Sequence, residues 1–373
     1  MKKIFVYAFA VMLAFTGMAV FTGGDRAFSE NENRQMTVVS DVISADVMSG
    51  DFQKELTAYS SDQFPGRDFL AGLATELKIE TGRKDIGGAY IGKDGFYFEK
   101  KLDKDIDMDR FERNLKKVEK IALKYPDKRV TVMLVPESGS VYRSKLPENA
   151  EIFDDDRMYQ KAQEHLQDCR VINLKEQLKE ESDKDGGNIL YYRTDHHWTL
   201  AGAYEGYRAL MGKSCTFAAE EVSDEFLGTL YSNVLDFRAE KTVDQGGSLD
   251  KVSIPVIKNK VRVVADGKEI ELFDRDAIKE KDKYKIYFGG NYGITTIKAE
   301  SSLQRGKKLT VIKDSFANTL VPLLVEDYDE IIMADMRYTS ASIDMLTMES
   351  DEILFLYQLS NFAGDTNIAK LTI

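Results

Sequence analysis

The chain has 373 residues, 43% of them hydrophobic, with 51 basic against 63 acidic side chains and a formal net charge of −12. That length allows one large domain or two smaller ones with substantial cores. The acidic balance argues against nucleic acid as a partner, because phosphate binding needs concentrated positive charge.

Met1, Lys2 and Lys3 precede a mostly apolar run from Ile4 to Phe21, closed by Thr22, Gly23, Gly24 and Asp25. A basic start and an apolar centre read as an export signal, and the run is near the lower limit for an uncleaved anchor. Residues 1–27 are therefore set apart as a signal peptide or N-terminal anchor, and the chain is expected outside the cytoplasm, secreted or held at the cell surface. The alternative is a buried first helix. Phe28 to Arg34 is polar and reads as a linker.

Helical patterns follow from Val47 to Leu56, with Gly50 inside, and from Phe69 to Glu80. Ala89 to Phe98 places two apolar strands around Lys93-Asp-Gly95, a hairpin signature. Asp107 to Tyr125 reads as a helix and Val130 to Val135 as a buried strand ending at Pro136. Met158 to Gln167 reads as a helix, Arg170 to Leu174 as a strand, and Thr199 caps a helix reaching Met211. Later strands are expected at Lys283–Phe288, Lys308–Ile312, Glu330–Met333 and Glu352–Tyr357. This alternation argues for an α/β layered fold with a largely parallel sheet. Val261 to Leu272 reads as a hairpin around Asp266-Gly267, within an antiparallel insertion at 252–280.

Two of the three histidines lie in the segment Tyr191 to Leu200, with Asp195 and the single tryptophan, Trp198. Asp195 and His197 are at i and i+2, so in extended backbone both point to one side and His196 to the other. A carboxylate can then orient His197 as a base. Leu309 to Ile312 runs through Lys313 and Asp314 into Ser315, ahead of helical spacing from Phe316 to Asp327 that contains Pro322. A serine at a strand-to-helix junction sits beside free N–H groups of the first helical turn, which suit an oxyanion. Acid, base and hydroxyl together are the parts of a nucleophilic hydrolase or acyltransferase.

Plainer readings stand beside these. Ser315 can be a helix cap. The histidines can be structural, or can bind a metal, although His165, Cys169 and Cys215 add no ligand-like spacing. Two cysteines permit at most one internal disulfide. Trp198 can be core or a sugar-stacking surface. Phe288 to Gly293 contains Gly290 and Asn291, a turn by composition whose Asn291 can also donate to an oxyanion. Arg337 and Tyr338 are either acceptor contacts or part of a loop packed on the last strand, and Tyr142 is a candidate rim residue.

Taken in order, Phe28–Arg34, Phe64-Pro-Gly-Arg67, Ile91-Gly-Lys-Asp-Gly95, Val135-Pro136, Asp195-His-His-Trp198, Phe288-Gly-Gly-Asn291 and Asp314-Ser-Phe316 resemble the bacterial DHHW family. That family is SGNH-hydrolase-like and related to alginate O-acetylation proteins. The resemblance implies a flavodoxin-type three-layer α/β fold over residues 28–373, with a largely parallel central sheet and the β-hairpin insertion. It implies Asp195, His197 and Ser315 as catalytic residues, supported at the oxyanion by Asn291 and Gly290, with no metal or cofactor. The implied reaction moves acetyl through the serine to a hydroxyl of a cell-envelope or extracellular polysaccharide. An activated acetyl donor, or a membrane-bound O-acyltransferase partner, would supply the group. A carbohydrate acetyl-esterase and a non-catalytic glycan-binding scaffold are the alternatives. The acidic surface gives no ground for carrying over alginate itself.

Overall fold

The computed structural model describes residues 2–184, 187–215, 217–241, 243–299 and 306–372. It begins with the apolar helix α1 (Lys2–Thr22), long and apolar enough to cross a membrane and almost wholly exposed. Only its end touches the rest of the protein. Val20 is buried with Val42 and Tyr59, and the Tyr59 hydroxyl donates to Val20 O at 3.3 Å and Asp25 Oδ1 at 3.0 Å. The stretch expected to be a linker instead folds back on itself, pairing Phe28 with Gln35 and Ser29 with Arg34. Helices α2 (Val39–Ser44), α3 (Asp51–Asp62) and α4 (Arg67–Glu80) follow. The helix read from Val47 starts only at Asp51, because Gly50 lies outside it in a left-handed conformation.

Strands β1 (Ala89–Ile91) and β2 (Tyr97–Glu99) form the expected hairpin. Then come α5 (Met108–Lys124), β3 (Arg129–Val135), α6 (Asp155–His165), β4 (Arg170–Asn173) and α7 (Leu200–Met211). Strand β5 (Ala219–Phe226), helix α8 (Thr229–Val234) and strand β6 (Asp250–Pro255) precede the hairpin of β7 (Val261–Ala265) and β8 (Lys268–Ile270). The chain closes through β9 (Ile294–Ala299), β10 (Lys308–Lys313), α9 (Ala317–Leu324), β11 (Glu330–Ala334), β12 (Glu352–Gln358) and α10 (Leu359–Gly364).

The central sheet has eight strands in the order β8-β7-β9-β11-β10-β12-β3-β4. From β11 to β4 every pairing is parallel, and the β8-β7-β9 end is added antiparallel. Both faces are buried, as a parallel sheet requires. Along β12, Leu354 and Leu356 join the core beneath α7 and α9, while Ile353, Phe355 and Tyr357 join the core beneath α5 and α6. The same period of two divides Met133 and Val135 from Val132 and Leu134 on β3.

Two further expectations change. Lys283–Phe288 is not a strand; Lys283–Ile286 is a short 3₁₀ turn, started where the Asp282 side chain accepts from Tyr284 N–H. Its apolar residues alternate in sequence, but the Asp282 cap selects a turn. The insertion at 252–280 divides: β6 pairs with β5 in a separate ribbon, and the β7/β8 hairpin extends the main sheet. Strands β5, β6 and β9 carried no recognised pattern; β5 is largely exposed and its pairing slips twice. Leu115 is fully buried in the core beneath α5, remote from the loops described below. Leu115→Ala should lower unfolding free energy by about 2–5 kcal/mol in urea titration, while leaving Ser315 chemistry intact in the folded fraction.

Candidate active site

Ser315 follows the C-terminal end of β10, where the chain turns into α9. The turn is braced by Asp314. Its carboxylate accepts from Phe316 N–H at 2.9 Å, Gln358 N–H at 2.9 Å and Asn361 Nδ2 at 2.9 Å. Burial raises the Asp314 carboxyl, against those three donors. This residue was passed over in the sequence because an aspartate at a strand end looks like solvent-facing polarity; only the sheet neighbours Gln358 and Asn361 reveal its role.

The histidine segment is a tight loop, closed by an antiparallel bridge between Tyr191 and Trp198. Three contacts fix it. Asp250 on β6 accepts from Arg193 N–H at 2.8 Å, Thr194 N–H at 2.8 Å and Thr194 Oγ1 at 2.7 Å. Thr194 O accepts from Leu230 and Tyr231 N–H at the start of α8. Trp198 Nε1 donates to Phe316 O at 3.0 Å, tying this loop to the serine turn. Trp198 is therefore fully buried core and not a sugar-stacking surface.

These braces bring Asp195, His197 and Ser315 together. His197 Nε2 lies 2.7 Å from Ser315 Oγ, and His197 Nδ1 lies 2.6 Å from Asp195 Oδ1. Asp195 Oδ1 also accepts from His197 N–H at 3.0 Å, and Oδ2 from Thr229 N–H at 2.8 Å. The selection of His197 thus comes from a turn closed on the Asp195 side chain, not from extended backbone. His196 does not point away: its ring lies 3.9 Å from that of His197, and its Nδ1 3.5 Å from Asp195 Oδ1. Asp195, His196 and His197 have donor atoms close enough to share an ion, but the Asp195–His197 hydrogen bond already occupies the shared oxygen and nitrogen.

Burial lowers the His197 imidazole to about 4, with His196 adding to the effect and Asp195 opposing it. Burial alone would raise the Asp195 carboxyl, but the two histidines and its hydrogen bonds hold it well below the usual carboxylate range. At neutral pH the pair is imidazole beside carboxylate, the state that can take a proton from Ser315. Tyr284 completes the arrangement. Its ring stacks on His197 at 3.8 Å, its hydroxyl donates to Ser315 O at 2.9 Å, and Thr319 Oγ1 donates to that hydroxyl at 2.8 Å. Nothing in the sequence flagged Tyr284, which reaches the site from a segment expected to be a strand.

The other candidates scatter. Asn291 lies beside the serine turn: its Oδ1 accepts from Lys313 Nζ at 2.9 Å and Asn318 Nδ2 at 3.1 Å. Gly290 turns its N–H back toward Tyr287 O, so it is not a free oxyanion donor; its φ of +136°, after Phe288 at +64° and Gly289 at +73°, shapes the loop that carries Asn291. Arg337 pairs with Asp335 at 2.6 Å, and its guanidinium lies over the exposed Tyr338 ring at 5.4 Å. Tyr142 is buried and accepts from Leu190 N–H, so it is not a rim residue. Cys169 and Cys215 are both free thiols. A cavity of about 740 Å³ lined by Arg193, Tyr204, Phe217 and Asp250 excludes the serine; it lies behind the histidine loop.

The DHHW protein family model matches residues 153–334, which span Asp195, His197 and Ser315. Over that segment, just under half of the chain, the protein is similar to the DHHW family. Among solved structures, a DHHW family protein from Eubacterium siraeum DSM 15702 superposes with a TM-score of 0.62 at 20% identity, covering 77% of this chain and 96% of that one. Bacillus cereus PatB1 with a sulfonyl adduct gives 0.60 at 19% identity, covering 75% and 96%. A further PatB1 structure gives 0.56 at 19%, covering 73% and 96%. At these identities the likeness shows a shared α/β fold. Comparison with curated proteins by sequence gave no match.

Two outcomes follow from the geometry. A Cβ on Gly228 would lie 2.3 Å from Asp195 Cβ, so Gly228→Ala should displace the carboxylate and slow covalent labelling of Ser315 by about 100-fold, the scale of a small misplacement. The labelling rate of the wild-type protein should climb with pH through about 4, as His197 loses its proton, and be level near neutrality. Stopped-time intact-mass analysis measures both.

Proposed function

We propose that this protein is a DHHW-family, serine-dependent O-acetyltransferase acting on a hydroxyl of a cell-envelope or extracellular polysaccharide. The observation that carries the reading is the unbroken contact from Asp195 through His197 to Ser315, with 2.6 Å and 2.7 Å links. The PatB1 structure supports it, since a protein of the same fold carries a sulfonyl adduct. The resemblance to O-acetylation proteins gives the substrate class.

The mechanism has two matched steps. Ser315 Oγ attacks the carbonyl carbon of an acetyl ester while its proton passes to His197 Nε2. The tetrahedral oxygen gains negative charge and is met by the Ser315 N–H, which makes no hydrogen bond among the described residues, and by Asn291. Collapse breaks the ester C–O bond; the departing alcohol takes the proton from His197, and acetyl-Ser315 remains. A sugar hydroxyl then gives its proton to His197 and attacks the same carbon. The second collapse releases the acetylated sugar and returns the proton to Ser315. Asp195 stays ionised and holds the imidazolium in place at each step.

Helix α1 has the length and composition of a membrane span. In this reading residues 1–27 export the chain or hold it at the outer side of the membrane, residues 28–373 form the working domain, and an activated donor or a membrane-bound O-acyltransferase supplies acetyl.

Incubating the folded protein with an activated acetyl ester should add one acetyl group to Ser315, and Ser315→Ala should abolish the adduct. Adding acceptor glycans should then yield acetylated sugar. Free acetate alone would replace transfer with esterase action, and absence of any adduct on the folded wild-type protein would overturn the reading.

A further inference from the structure

Lys313 lies at this edge of the sheet, two residues before Ser315, and its side chain is 2% exposed. Its ammonium meets Asn318 Oδ1 at 2.8 Å, Asn291 Oδ1 at 2.9 Å and Asp335 Oδ2 at 3.5 Å. Asp335 is itself gripped from the outer side by Arg337, at 2.9 Å and 2.6 Å. An ammonium only donates, so both asparagines must turn their oxygens toward it. Asn318 Nδ2 fills the second lone pair of Asn291 Oδ1. Rotating the Asn291 amide by half a turn would set N–H groups against a buried cation and strand two donors.

We propose that Lys313 is a positioning residue that locks the Asn291 amide in one orientation and so presents Asn291 Nδ2 as the side-chain donor to the oxyanion formed at Ser315. The proposal rests on reading Ser315 as a nucleophile, and adds that the donor's orientation is set from beneath by a buried charge. Among the described residues Asn291 Nδ2 makes no hydrogen bond, while its oxygen makes two. A half-exposed amide saturated on one side and unbonded on the other is pre-organised for an incoming acceptor, which is the condition for strong electrostatic stabilisation. The linkage also gives Arg337 a role: through Asp335 it holds Lys313, so it serves the site without meeting the substrate.

The test is a double-mutant cycle read by sulfonylation with phenylmethylsulfonyl fluoride. In that reaction Ser315 Oγ bonds to sulfur, the S–F bond breaks, fluoride leaves, and the serine proton goes to His197. Asn291→Ala and Lys313→Met should each slow sulfonylation by about 100-fold, the scale for one lost oxyanion donor. The combined variant should be no slower than Asn291→Ala alone, because Lys313 then has no donor left to position. A purely structural role for Lys313 predicts losses that multiply, and that result, or a wild-type rate in Lys313→Met, overturns the proposal. If Lys313→Met does not fold, Lys313→Met with Asp335→Asn removes both members of the ion pair. Asn291→Asp provides a further arm: it keeps the acceptor for Lys313 and Asn318 but lacks the donor, so a wild-type rate there also overturns the proposal. A coupled cycle without acetyl turnover refutes acetyl transfer and leaves Lys313 in place; multiplying losses with intact acetyl-Ser315 do the reverse. Failure to sulfonylate wild-type Ser315 overturns both.

Discussion

The hydrogen bond between His197 and Ser315 joins residues 118 positions apart, and no local preference of either segment creates it. It exists because the two loops are held together by contacts outside the triad. Trp198 reaches across to Phe316 O, Tyr284 covers the imidazole and grips Ser315 O, Asp250 gathers backbone N–H groups of the histidine loop, and Asp314 gathers those of Phe316 and Gln358. Buried carboxylates are costly unless every lone pair finds a donor. Asp195, Asp250 and Asp314 meet that condition mainly through main-chain N–H groups, so Asp195 and Asp314 fasten their own turns and Asp250 fastens the histidine loop to β6.

The sheet explains why the loops meet where they do. Parallel strands deliver their C-terminal ends to one edge, where crossing connections leave room for a ligand. Strands β3, β10, β11 and β12 bring Glu137, Ser315, Asp335 and Gln358 to that edge. The antiparallel addition of β7, β8 and β9 lies on the far side of β11 and brings the Asn291 loop in from outside the parallel block. Core packing is shared by both sheet faces, so the edge can be polar without weakening the interior.

Much of this was readable from the chain. Buried parallel strands leave continuous runs such as Val130–Val135, Leu309–Ile312 and Ile353–Leu356, and long helices leave a 3.6-residue stripe such as that of α5. The base stood out because the chain has three histidines, and Asp195 and Ser315 stood out by their settings, two residues before His197 and at the end of an apolar strand. The supports did not. Tyr284 lies in a stretch whose alternation imitates a strand, and Asp314, Asp250 and Lys313 act only on partners far away in sequence. Trp198 and Tyr142 were ambiguous for the converse reason: an aromatic ring suits a core and a sugar surface equally, and only burial separates the two. Strand β5 was invisible because its exposed, charged residues and slipped register leave no period to detect.

The ribbon of β5 and β6 has a consequence for durability. Asp250, which steadies the histidine loop, sits on a two-stranded ribbon outside the main sheet, and one of its strands is mostly bathed in solvent. Segments of that kind open at lower free energy than a central sheet. The Asp195–His197 pair is therefore tethered to an exposed flank: as conditions harshen, its alignment is expected to fail while the eight-stranded body is still folded.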